Sequence, residues 1–66
     1  MRLKVNGEIR EIQEGASLHD LIAQLGLVER VMAAALNMQI VKQDAWESTI
    51  LEDGDTIELL DFVGGG

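Results

Sequence analysis

The sequence predicts an α+β domain: a mixed sheet of four to five strands, one helix packed across it, and a flexible C-terminal glycine tail. Three features carry that prediction. The chain opens on a strict apolar/polar alternation that runs into Asn6-Gly7, it contains one clean helical stripe, and its last apolar run gives way to Gly64-Gly65-Gly66. The boundary is expected at residue 63, with a folded domain over 1–63 and the tail over 64–66.

In the first strand Met1, Leu3 and Val5 alternate with Arg2 and Lys4, the period of a half-buried strand. Asn6-Gly7 is the strongest short hairpin signal, because both residues tolerate the positive φ of a type I′ turn. The returning strand is expected over Glu8–Gln13. Pairing Val5 with Glu8 places Met1 opposite Ile12 on the inner face and leaves Ile9 beside Lys4 on the outer one. Glu14-Gly15 makes the next turn.

Ser17 then reads as a helix N-cap, with Asp20 three residues on as an acidic capping box. Leu18, Leu21, Ile22 and Leu25 fall at i, i+3, i+4 and i+7, and Gly26 is placed to terminate the helix with Leu27 folding back. Two to three turns are too few to stand alone, so the stripe must lie on a sheet.

Val28-Glu29-Arg30 is connection, and the continuous apolar run Val31–Leu36 is a buried strand in spite of three alanines that favour helix. Asn37 punctuates, Gln39–Lys42 is a short fourth strand, and Ala45–Leu51, with Trp46, Ile50 and Leu51 near helical spacing, is a single helical turn closing the core. Asp53-Gly54-Asp55 is a tight turn before the last strand, Thr56–Val63, with Ile57 and Leu59 on one face and Leu60 and Phe62 on the other. This order matches the β-grasp arrangement, in which first and last strands lie side by side and parallel. A central last strand would account for apolar residues on both faces. Three extended residues beyond it reach on the order of 10 Å.

Composition removes several functional classes. At 66 residues and 47% hydrophobic content the chain is one small domain with a core, expected to bury only about 60% of its unfolded surface. No cysteine is present to staple it or hold a metal. A net charge of −7 opposes phosphate binding, so nucleic acid is not an expected partner, whereas basic protein surfaces are. No apolar run reaches membrane-spanning length and the N-terminus reads as a strand, so a cytoplasmic protein, monomeric when free, is expected. Catalytic candidates are lacking: His19 has no partner at metal spacing and reads as solvated or capping, and Asp53 and Asp55 read as turn residues and not as a calcium loop. Trp46 reads as a core lid whose indole N–H needs an acceptor.

The ordered set Asn6-Gly7-Glu8, Leu21-Ile22, Leu25-Gly26-Leu27, Leu36-Asn37, Ile40-Val41, Trp46, Leu51, Asp53-Gly54-Asp55 and Gly65-Gly66 resembles the ubiquitin-like sulfur carrier family of thiamine biosynthesis (ThiS), over the whole chain. Met38 and Lys42 depart from it, standing where many relatives carry glycine and proline, so the turn between the third and fourth strands is open. The resemblance implies a carrier and not an enzyme. The Gly66 carboxylate would be adenylated by an E1-like partner (ThiF type) that consumes ATP, with no cofactor bound by the carrier itself. Sulfur would arrive through a persulfide, and the resulting thiocarboxylate would serve a thiazole synthase (ThiG type). Gly64 and Gly65 would thread the partners' active sites, and Leu60 and Phe62 would form a docking patch, unless the fold's own loops cover them. Composition alone reads the same tail as a flexible terminus. Other outcomes of the same pattern are a carrier for molybdopterin or another sulfur-transfer pathway, or a ubiquitin-like binding module that is never activated.

Overall fold

The structure is a computed structural model that describes residues 1–61. Its strands are β1 (Arg2–Val5), β2 (Glu8–Glu11), β3 (Val31–Leu36), β4 (Gln39–Val41) and β5 (Thr56–Asp61), with one α-helix, α1 (Leu18–Gln24). They form one five-stranded mixed sheet in the order β2-β1-β5-β3-β4. β5 is central, parallel to β1 and antiparallel to β3, as the β-grasp reading requires.

Both hairpins turn on two residues with positive φ. Val5 pairs with Glu8 across Asn6 (φ 50°) and Gly7 (φ 85°), which fixes the register that sets Leu3 and Val5 inward and Lys4 and Ile9 outward. β2 stops at Glu11, short of the expected Gln13, although the Ile12 N–H still donates to the Met1 carbonyl.

The corner between β3 and β4 has the same geometry: Leu36 pairs with Gln39 across Asn37 (φ 49°) and Met38 (φ 75°). The turn is therefore of the I′ kind, with a methionine where this conformation favours glycine. Left-handed backbone costs a residue with a Cβ about 1–2 kcal/mol. Met38, 90% exposed, buries nothing in return. Met38→Gly is expected to raise stability by roughly 0.5–1 kcal/mol after the entropy of the added glycine is subtracted, a shift readable in a urea titration.

α1 begins as its sequence dictates. The Asp20 N–H donates to Ser17 Oγ (3.0 Å) and the Ser17 N–H to Asp20 Oδ2 (3.0 Å), a reciprocal capping box worth about 1 kcal/mol. It ends in a Schellman motif, with the Gly26 N–H donating to Ala23 and the Leu27 N–H to Ile22. Leu18, Leu21 and Ile22 are buried against Leu3, Val5, Ala34, Ile57 and Leu59. Each such side chain contributes about 1.5–3 kcal/mol, and this packing holds a seven-residue helix that propensity could not.

The segment after β4 differs from the expected turn over Ala45–Leu51. The helical piece is 3₁₀ and earlier, Gln43–Ala45, and Trp46 caps it. Beyond it, Ser48 Oγ and Thr49 Oγ1 both donate to the Ala45 carbonyl, so side-chain hydroxyls end the helical run. Leu51 N–H then bonds to Ala16 and Leu18 N–H to Thr49, laying this segment against the entry to α1. Trp46 does close the core, 1% exposed, with its Nε1–H donating to the Val41 carbonyl at 2.9 Å.

Candidate functional site

The last strand organises the site. β5 runs between β1 and β3, and its Ile57 and Leu59 anchor in the core at 0% and 7% exposure. Leu60, on the opposite face, is 61% exposed, so no loop covers it among the described residues. The centrality of β5 was expected, and of the two outcomes open for Leu60, an exposed patch or cover by a loop, the structure has the exposed one, α1 packing on the other side of the sheet.

The uncovered face has a definite shape. Register places Leu60 opposite Ala33, and Glu58 opposite Ala35, which in turn faces Ile40 on β4. The alanines are too small to fill the space between Leu60 and Ile40. The result is a shallow, mostly apolar hollow of about 250 Å³ with Glu58 on its margin. Ile40, 71% exposed, and Met32, 62% exposed, extend the apolar surface. Ala33 and Ala35 were not singled out from sequence, and Ile40 entered only through the family resemblance; the signal was the alanine run itself, whose outer members emerge only once the β3–β5 register is known. Ile9 is exposed too, but it lies at the far side of the sheet, on β2 beside Lys4.

Of the residues expected to do chemistry or docking, Leu60 is placed by the structure; Phe62, Gly64, Gly65 and Gly66 lie outside the described residues. Side-chain amides secure β5 near both of its described ends. Asn37 Oδ1 accepts from the Thr56 N–H (3.0 Å), and Asn6 Oδ1 accepts from the Leu59 N–H (2.8 Å) while Asn6 Nδ2 donates to the Leu59 carbonyl (3.3 Å).

The acidic turn is structural, as expected. Asp53 Oδ1 accepts from the Arg2 N–H (2.7 Å), while Asp55 accepts from Asn37 Nδ2 (3.0 Å) and the Glu52 N–H (2.8 Å). Among the described residues no three His, Cys, Asp or Glu side chains group as a metal site, and no helix is long and apolar enough to cross a membrane. His19 is half-buried and contributes its backbone N–H to the Trp46 carbonyl.

The ThiS family model matches residues 3–66. The sulfur carrier protein ThiS of Escherichia coli (strain K12) is 33% identical over 66 residues, covering both chains completely. The chain also aligns at 33% identity with a thiazole synthase of Paramagnetospirillum magneticum, but spans only 20% of that protein's length. A crystal structure of the thiamine biosynthesis protein ThiS from Geobacter metallireducens superposes with a TM-score of 0.82 at 33% identity over the whole of both chains. With the five-stranded order, the single capped helix and a match that runs through the terminal glycines, the chain belongs to the ThiS family.

Proposed function

We propose that this chain is a sulfur carrier of thiamine biosynthesis whose working group is the carboxyl of Gly66. The observation that carries the reading is the family match through Gly66 on a domain whose central strand leads into the glycine tail. A carboxylate is a poor acyl donor because its leaving group would be oxide. Attack of a carboxylate oxygen on the α-phosphorus of ATP, on an E1-like partner of the ThiF type, replaces that leaving group with AMP and releases pyrophosphate. The terminal sulfur of a persulfide then attacks the acyl carbon and displaces AMP, giving an acyl disulfide. A second thiol attacks the persulfide carrier's sulfur, so that the two thiols leave as a disulfide and the Gly66 thiocarboxylate is released. Glycine suits both visits: without a Cβ its carbonyl is unhindered and the backbone fits a narrow channel.

The acceptor is a thiazole synthase of the ThiG type. The alignment with one fifth of a thiazole synthase supports this, since it sets a carrier-like stretch and an acceptor in one polypeptide. The reading divides the chain into a domain over 1–63 and a threading tail, Gly64 and Gly65 supplying reach, and places it in the cytoplasm as a monomer between partners. It binds no cofactor; the ATP is consumed on the partner.

The decisive experiment incubates the chain with an adenylating enzyme, ATP and a sulfur source. Intact mass spectrometry should show one oxygen replaced by sulfur, and a mass that never changes beside an active partner refutes the proposal.

We assign docking to the open sheet face that carries Leu60, with Phe62 as its expected companion from the alternation of the sequence. Ordering a tail on binding costs entropy, so the folded body must supply affinity. Leu60→Ala, at an exposed position, should weaken binding to the adenylating enzyme by roughly 1–2 kcal/mol, about tenfold in Kd, with unfolding unchanged. An unaltered titration curve would remove Leu60 from the interface.

A further inference from the structure

The two asparagines at the hairpin tips do more than tolerate a positive φ. β1 pairs with β5 only at Lys4–Thr56 and Val5–Ile57, after which its backbone turns away through Asn6-Gly7. The Asn6 N–H still reaches the Ile57 carbonyl (2.9 Å), and then the Asn6 carboxamide takes over. It bonds both the N–H and the carbonyl of Leu59, replacing with one side chain the two backbone partners that a continued parallel strand would supply from successive positions. Asn6 and Leu59 also border a depression of about 280 Å³ whose other lining residues include Val5, Glu8, Arg10 and Leu27. On the other side of β5, the pairing with β3 is irregular, with a register shift between Val31 and Ala33 opposite Leu60 and Asp61. Among the described residues the Asn6 side chain is therefore the last tether on the β1 side before the chain continues to Phe62.

We propose that Asn6 is a positioning residue for carboxyl activation: by pinning Leu59 it fixes the strand backbone from which the chain continues to the glycine tail, and so how the Gly66 carboxyl is presented to the adenylating partner. The role rests on the carrier reading above. It predicts a change in turnover and not in docking, because Leu60 and the open face are untouched by the substitution.

Asn37 provides the control. Its carboxamide makes a comparable pair of bonds at the opposite end of β5, to Thr56 and Asp55, with the same positive φ. Glycine at either position keeps the turn and deletes the side-chain bonds. Steady-state adenylation, followed as pyrophosphate release with carrier concentration varied, should show Asn6→Gly lowering kcat on the order of tenfold with KM nearly unchanged. Asn37→Gly should leave kcat at the wild-type value while reducing thermal stability to a similar degree. Asn6→Asp, which keeps an acceptor for the Leu59 N–H and loses the donor to its carbonyl, should fall between wild type and glycine.

Equal kcat for Asn6→Gly and wild type overturns the positioning role. So does an equal loss in Asn37→Gly, which would make the effect one of strand stability. A wild-type chain that takes no adenylate beside a partner active on its own carrier overturns the carrier reading, and this role with it.

Discussion

A chain extended by one alanine after Gly66 is expected to fold normally and to form no measurable adenylate. The extension moves the terminal carboxyl by about 3.3–3.6 Å along an extended backbone. Acyl activation requires the reacting atoms within about 3–3.5 Å in a defined orientation, so the displacement equals the whole approach distance. It also puts a Cβ at the carbon that bears the reacting carboxyl. A loss of at least about 100-fold in pyrophosphate release is expected, and deletion of Gly66 should do the same by retracting the carboxyl. Thermal unfolding should not respond, because the core cluster is already built from residues upstream of the tail, Leu3 to Leu59 among the described residues. Adenylation of the extended chain at the wild-type rate would show that the partner does not read the position of the Gly66 carboxyl.

Such a clean separation of tail from body depends on how locally the body is specified. Asn6-Gly7 forced a I′ turn, Ser17 and Asp20 closed on each other as a capping box, and Gly26 ended the helix, each through contacts within a few residues. Those features were legible because their physics is short-range. The 3₁₀ turn was misplaced because Trp46, Ile50 and Leu51 share a helical spacing for unrelated reasons: Trp46 plugs the core, whereas Ile50 bridges back to Ser17 in extended form. Spacing alone cannot separate those two causes.

The candidate site shows the same limit. Leu60 could be assigned to the outer face by parity along one strand. The hollow beside it requires Ala33, Ala35 and Ile40, brought together with Leu60 by the β3–β4 hairpin register and by the pairing of β3 with β5, which is remote in sequence. Asn6 is a further instance. Its turn role follows from its neighbour Gly7, but its grip on Leu59 follows from the parallel placement of β1 against β5.

Trp46→Ala is the complementary prediction, a large loss of stability with no change at the tail. Truncating a tryptophan that is 1% exposed removes most of one of the largest side chains in the core, at an expected cost of about 3–5 kcal/mol. It also leaves the Val41 carbonyl without its indole donor. Total stabilities are about 5–15 kcal/mol, and a 66-residue chain without disulfides belongs toward the lower end. The variant should therefore be substantially unfolded near 37 °C, where urea denaturation followed by circular dichroism would measure the deficit. Trp46→Phe, which restores an aromatic ring but not the N–H, should recover part of it. A Trp46→Ala midpoint close to wild type would mean that the tryptophan does not close the core. At a temperature where the folded fraction is known, adenylation per folded molecule should match wild type. Trp46 supports the platform that presents Gly66, whereas residues at the tail set whether the carboxyl can react.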